Sequence, residues 1–419
     1  MDATLITVGD ELLIGQVVNT NAAWLGEHLG LAGVPVRRAA TVADSAEAIQ
    51  TELLRALEET DVVVLTGGLG PTHDDITKRA LADALGRSLD FRDDVWAELK
   101  QKYETRGRTA SDAAKVMAEV PDGFEPLFNP AGSAPGLWGE VGTADAPRLV
   151  IVLPGVPREM RGILQAGPLD RLRERSGRDT LLHKTLLTAG KGESDLAAMI
   201  GDVQADLGPD LSLAFLPSYG GVRLRLSARA ADPEAAERRI APLEKRIRAV
   251  LGDLIYGEDD DSLEAVVGRM LVERGLSLAV AESCSGGRLS AQIVGVPGAS
   301  RYFVGGVVAY SNGMKREVIG VNEDTLQHYG AVSEETALQM AAGVRRTFAA
   351  DVGLATTGIA GPGGGTPEKP VGTVWLAYDD GQTAHAVHLR LPGDRAVITR
   401  LTVHAALNLA RRQLLRGEG

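Results

Sequence analysis

The stretch Val62–Lys78, VVVLTGGLGPTHDDITK, decides how the first third of the chain is read. Val62–Leu65 shows no polar alternation, so it is predicted to be a strand buried on both faces. Gly67, Gly68 and Gly70 then permit a sharp turn and a close approach to a ligand. Thr72, Asp74 and Asp75 are expected near a helix start, where free backbone N–H groups hold a phosphate. A pair of carboxylates there can hold a divalent cation against that phosphate. A plain strand–turn–helix connection with capping aspartates would give much of the same pattern.

Working outward, Ala3–Val8 reads as a first buried strand, followed by Gly9-Asp10-Glu11-Leu12-Leu13-x-Gly15. An amphipathic helix is expected over Ala22–Leu31 and a second strand over Val34–Val42. Asp44 and Glu47 have capping-box spacing before a helix that runs to about Glu59. Strands alternating with helices predict a doubly wound parallel sheet with ligands at the carboxyl ends of its strands. Gly9–Gly15 and Gly67–Asp75 both fall at such ends.

Four segments of this region resemble the molybdenum-cofactor-biosynthesis, or molybdopterin-binding, domain. They are Gly-Asp-Glu-Leu-Leu-x-Gly, Thr-Gly-Gly-Leu-Gly-Pro-Thr-x-Asp-Asp, Asn129–Gly136 and Leu153–Met160. Their combination resembles the competence/damage-inducible protein A family, CinA. The resemblance implies a nucleotide-type ligand and a metal-dependent ADP-ribose pyrophosphatase activity in residues 1–165. Gly67, Gly68, Gly70 and Thr72 are then candidates for the diphosphate, and Asp74 and Asp75 for a divalent metal cation, with Glu11 a third.

Residues 166–256 read as strand, helix, two strands around Ser218–Gly221, a long charged helix and a last strand. That βαββαβ order suggests a small ferredoxin-like α+β domain. The segments are Leu182–Leu187, Glu193–Val203, Leu211–Leu216, Val222–Ala228, Asp232–Leu251 and Leu254–Tyr256. No catalytic constellation is visible there. Gly257–Ser262 is a charged linker whose Ser262 can cap the next helix.

Residues 262–419 read as a second α/β domain. A helix at Leu263–Arg274 and a strand at Ser277–Ala281 lead into Glu282-Ser283-Cys284-Ser285-Gly286-Gly287, then a helix at Arg288–Val294. Again a strand, a small-residue loop and a helix start suggest an anion site at Gly286 and Gly287. Ser283 or Ser300 could be a nucleophile or an oxyanion donor. A lysine could be the base if burial lowers its pKa. Tyr310 and Lys315 converge only if the chain turns between them, which Gly313 permits. Arg395, at the start of the final helix, suits a phosphate or carboxylate. Cys284, the single cysteine, is expected to be a small core residue.

Ala-Glu-Ser-Cys-Ser-Gly-Gly, Tyr-Ser-Asn-x-x-Lys, Gly-Ala-Val-Ser-Glu-Glu, Thr-Gly-Ile-Ala-Gly-Pro and Lys-Pro-Val-Gly-Thr-Val are similar to the CinA C-terminal domain. That resemblance implies a nicotinamide mononucleotide deamidase with no cofactor. It carries Ser283, Ser300, Tyr310, Lys315 and Thr357 over as catalytic candidates and Arg395 as a substrate-binding one. Gly298-Ala299-Ser300 departs from the pattern, with alanine where a serine often stands.

Of 419 residues, 44 are Lys or Arg and 56 Asp or Glu, a net charge of −12 that disfavours direct nucleic-acid contact. One cysteine excludes an internal disulfide and a Cys-cluster metal site. The first residues, MDATLITVGDELL, lack the basic and apolar regions of a signal peptide, and no apolar run is long enough to span a membrane. The expectation is a cytoplasmic homodimer acting on nicotinamide mononucleotide and ADP-ribose. The rival readings are a nucleotide- or pterin-binding module and an interaction protein of competence or DNA repair.

Overall fold

The structure is a computed structural model that describes residues 1–143, 146–177, 179–201 and 207–416. The chain divides into two compact units, Met1–Leu182 with Arg229–Glu237, and His183–Ala228 with Arg238–Gly419.

The first unit is built on strands β1 (Ala3–Val8), β2 (Val36–Val42), β3 (Val62–Thr66), β6 (Phe124–Leu127), β7 (Gly136–Thr143) and β8 (Ala146–Leu153), beside a small ladder of β4 (Leu89–Phe91) and β5 (Glu119–Pro121). The sheet order is β2-β1-β3-β8-β7-β6. Its first four strands are parallel, and β7 and β6 continue it antiparallel. Both faces are covered, which is why β3 needs no polar alternation. Val63 and Leu65 pack with Ile49, Leu53 and Leu81 on one side. Val62 and Val64 pack with Leu25, Leu29, Met160 and Ile163 on the other. The doubly wound expectation holds. The helix after β2 starts at Ala46, and Ser45 caps it by accepting from Ala48 N at 3.3 Å. Asp44 is therefore not the cap, and its carboxylate turns toward the end of β1 instead.

The middle sheet contains β9 (Thr180–Thr188), β10 (Leu211–Ser218), β11 (Gly221–Ala230) and β12 (Ile255–Glu258) in the order β10-β11-β9-β12. In chain order this is 4-1-3-2 read from the other edge, the split βαβ arrangement that the βαββαβ pattern predicts. The helix Glu193–Ile200 stops before Gly201, and its predicted end at Val203 lies outside the described residues.

The last sheet runs β14-β13-β15-β16-β17, with β13 (Leu278–Glu282), β14 (Phe303–Val308), β15 (Val352–Gly358), β16 (Thr373–Asp379) and β17 (Ala384–Arg390). β13 lies parallel to β14 and β15, while β16 and β17 are antiparallel additions. Leu263–Arg274 and the long Arg395–Arg416 helix cover one face. Glu334–Thr347 covers the other with Ala337, Met340, Ala341 and Val344. Among the described residues no helix is long and apolar enough to cross a membrane.

Candidate active sites

In the first unit, β3 ends in a turn that only glycine can make. Gly67 has φ +112°, and a Cβ there would lie 2.4 Å from Val8 O. Gly68 has φ +66°, and a Cβ would lie 2.2 Å from Thr77 Oγ1. The next helix begins at Thr77, two residues later than Asp75, and no side chain caps it. Asp74 and Asp75 therefore stand in the turn before the helix, not in its first turn. Asp75 Oδ2 accepts from Thr72 N at 2.8 Å and also from Thr72 Oγ1. That oxygen closes the Gly70–Asp75 turn.

The turn opens on a cleft of about 470 Å³. Gly67, Gly68, Gly70, Asp74, Asp75 and Glu11 line it, together with Asp44, Ser133 and Glu159, which the sequence did not mark as ligand-binding residues. Asp44 Oδ2 accepts from Asp10 N at 2.9 Å. Burial, and then the charges of Asp10, Glu11 and Asp74, raise the Asp44 pKa above the usual carboxylate range. Carboxylates from three different strand ends thus repel one another across this cleft. The signal for Asp44 was its place just after a strand adjacent to β1, at the carboxyl edge where such sheets bind ligands. Asn129 builds the opposite wall. Its Oδ1 accepts from Ala131 N and Gly132 N, and its Nδ2 donates to Ala134 O at 2.7 Å and Glu159 Oε2 at 2.6 Å. The segments Asn129–Gly136 and Leu153–Met160 are two halves of that wall.

Among the described residues no three carboxylate, histidine or cysteine side chains form a preassembled metal cluster. The donors fit instead a cation held by one or two carboxylates and completed by phosphate oxygens, the usual manner for magnesium. Asp74, Glu11 and Asp44 are the groups suited to that, and one oxygen of Asp75 is already engaged.

In the second unit, β13 delivers Glu282 into the core, and the expectation of an anion site after it is corrected. The Glu282 carboxylate accepts from Gly287 N, Leu289 N and Ser290 N at 2.8–3.0 Å and from Ser290 Oγ at 2.7 Å. The chain supplies its own anion to this helix start. Gly286 N donates to Ser283 O at 3.2 Å, so both glycine amides are spent inside the turn. Their φ values of +62° and +93° explain the glycines without a ligand.

Ser283 and Lys315 meet. Lys315 lies on a helix, Asn312–Ile319, which the sequence reading treated as a turn; Ser311 caps it by accepting from Met314 N at 3.2 Å. The lysine is 1% exposed. Its Nζ contacts Ser283 Oγ at 3.1 Å, Ala309 O at 2.8 Å and Tyr310 O at 3.1 Å. Burial lowers its pKa to about 8, opposed by the nearby Cys284. Two of the three partners are carbonyls, which only accept. A neutral Nζ must aim its two hydrogens at them, and its lone pair then faces Ser283 Oγ.

The other candidates fall in a second pair and two single positions. Arg395 donates from Nη2 to Tyr310 Oη at 3.2 Å and from Nη1 to Gly361 O at 2.8 Å, and Tyr310 is 61% exposed. Thr357 is buried and donates to Ala331 O at 2.6 Å. Its neighbour Thr356 takes the Ser283 N–H on its carbonyl at 2.9 Å and meets Ser285 Oγ at 2.6 Å. Ser300 sits exposed on the short turn Ala299–Arg301, and the hydrogen bonds of Lys315 go elsewhere. Burial pushes the Cys284 thiol up to about 12, so it stays protonated and unreactive at neutral pH.

Three family descriptions match the chain in order: a probable molybdopterin binding domain over residues 4–173, a damage-inducible protein CinA KH domain over 183–257, and a CinA C-terminal domain over 260–414. A CinA-like protein of Salinibacter ruber is 49% identical over 414 residues, spanning 99% of this chain and 100% of its own length. The chain belongs to the CinA family. A CinA-like protein of Gemmatimonas aurantiaca is 44% identical across 100% of this chain and 98% of its own. Among solved structures, the CinA protein of Thermoplasma acidophilum, described as of unknown function, is 42% identical. It covers 40% of this chain and 96% of its own, with a TM-score of 0.37. Within the KH-matching segment of this CinA chain, no two glycines stand three apart, so the Gly-x-x-Gly clamp for a nucleic-acid backbone is not written there.

Proposed function

We propose that this CinA protein hydrolyses the carboxamide of nicotinamide mononucleotide in its C-terminal domain and ADP-ribose in its N-terminal domain. The observation that carries the first activity is the Lys315 Nζ contact with Ser283 Oγ, where two carbonyls fix the direction of the lone pair. Ser283 Oγ attacks the amide carbon while its proton passes to Lys315 Nζ. The C–N bond breaks as Lys315 returns that proton to the leaving nitrogen, releasing ammonia. Water then gives its proton to Lys315 and attacks the ester carbon, the C–Oγ bond breaks, and Lys315 returns the proton to Ser283 Oγ, leaving nicotinate mononucleotide and free Ser283. The test is incubation with nicotinamide mononucleotide, following ammonia and nicotinate mononucleotide; their absence at any pH from about 6 to about 10, a span that brackets the titration of a buried lysine, would reject the reading.

The state of Lys315 sets the pH dependence. Only the neutral amine is a base, and its fraction grows as pH rises toward a pKa of about 8. kcat/KM for deamidation is expected to climb roughly tenfold per pH unit below that value and to level off above it. A flat profile between pH 6 and 8 would remove Lys315 from the base role.

Arg395 would hold the substrate phosphate, since a guanidinium offers planar paired donors. Phosphate binding is alike in ground and transition states. Arg395→Ala is therefore expected to raise KM about tenfold or more with kcat little changed. A fall in kcat at unchanged KM would move Arg395 to the amide itself.

For the N-terminal domain, the glycine turn and the facing carboxylates support a diphosphate ligand and a divalent cation bound with it. The cation, when bound, supplies Lewis-acid polarisation of a phosphoryl oxygen. Asp74, Glu11 and Asp44 would hold it, and Gly67–Gly70 would seat the diphosphate. The second reading is that this domain binds a nucleotide without turning it over. AMP and ribose 5-phosphate formation that stops in excess chelator supports hydrolysis; nucleotide binding without product in saturating magnesium supports the second reading.

A further inference from the structure

The far end of the Arg395–Arg416 helix lines a second cavity, of about 330 Å³, away from Ser283 and Lys315. Its floor is Leu376 of β16, Val387 and Leu389 of β17, and Leu409 of the helix. Gly190 and Gly220 of the middle domain close it, with Gly190 N donating to Gly220 O at 3.1 Å. Gly220 has φ +79°, and a Cβ there would lie 2.2 Å from His404 Nδ1. Only glycine lets the β10–β11 turn reach the helix. Arg411 fixes the arrangement, donating to Asp253 O at 2.5 Å and to Asn408 Oδ1 at 3.0 Å.

The charge of this wall is anomalous. The chain carries 56 acidic residues, yet among the described residues lining the cavity none is Asp or Glu. Arg412 and Arg416 are both there, i and i+4 on one helix face, with His385 beside them. Gln413, only 8% exposed, belongs to the same wall. An apolar floor with a few polar groups converging above it is the usual form of a small-molecule site. Two guanidiniums on adjacent turns match a dianion, and each can pair bidentately with phosphate oxygens.

We propose that this cavity binds an aromatic phosphate monoester, its ring on the Leu376–Leu389 floor and its phosphate on Arg412 and Arg416. The site is separate from both proposed active sites and does not depend on either activity. Calorimetric titration of the full chain with 1-naphthyl phosphate tests it, with 1-naphthol and inorganic phosphate as controls. The ester is expected to bind at least about tenfold more tightly than either control, because each control lacks one half of the recognition. It should also raise the melting temperature, since it binds the folded state alone. Arg412→Glu with Arg416→Glu, both on the exposed rim, should weaken binding at least about tenfold through lost charge-assisted hydrogen bonds. Ala405→Trp, which fills the cavity, should abolish it; if that variant does not fold, the rim variant decides alone. Unchanged binding in the rim variant would place the probe elsewhere, such as the Gly67–Gly70 cleft, and overturn the proposal. Equal binding of 1-naphthol would reduce the site to an apolar hollow and overturn it as well.

Discussion

Ser283→Ala and Lys315→Met are each expected to lower kcat for deamidation by about a hundredfold or more, the usual scale for losing an acid–base partner. The double variant should fall no further than the more damaged single one, because nucleophile and base act as a unit. The two single variants should differ in stability. A methionine side chain in place of Lys315 would fill much of the lysine's volume but leave Ala309 O and Tyr310 O, now satisfied by Nζ, without that donor. A buried carbonyl left unpaired costs about 1–3 kcal/mol. Lys315→Met should therefore melt at a lower temperature, while Ser283→Ala should melt near the parent. A Lys315→Met protein that keeps kcat and only raises KM would make the lysine a phosphate ligand and refute the dyad.

The parts of the fold that were legible in sequence are those fixed by local chemistry. Val62–Leu65 of β3 is all aliphatic because both faces of the strand are covered, and the glycines after it are fixed by the Val8 carbonyl and the Thr77 side chain. The βαββαβ order of the middle domain was readable from the Ser218–Gly221 turn and the charged 233–251 helix. What was not legible is side-chain accounting across the sheet. Glu282 reads as a polar residue ahead of a glycine loop; only the fold shows that it takes three amides of the following helix. Asp44 reads as a cap, because Ser45 and Asp44 are equally good capping residues in isolation. Lys315 was identified by motif alone. Its neutral-favouring burial depends on a short helix that Gly313 and the exposed Asn312 gave little reason to expect. Of the motif serines, only Ser283 reaches the lysine.

Gly67→Ala is expected to cut ADP-ribose hydrolysis by about a hundredfold, the order of effect of a 1 Å misplacement in an active site. The added methyl would lie 2.4 Å from Val8 O, a backbone atom of the neighbouring strand β1 that cannot swing aside. The φ of +112° is also one that an L side chain rarely adopts. The turn must therefore move, and with it Gly68, Gly70 and the Asp74–Asp75 carboxylates that face the cleft. Deamidation should be unaffected, because Ser283, Lys315 and Arg395 all belong to the other compact unit. Measuring both activities on one preparation separates a local effect from general unfolding. Loss of both would mean that the substitution unfolds more than its own domain. Retention of ADP-ribose hydrolysis within about threefold of the parent would show that the glycine turn does not seat the diphosphate, since a geometric requirement at the reacting groups is steep.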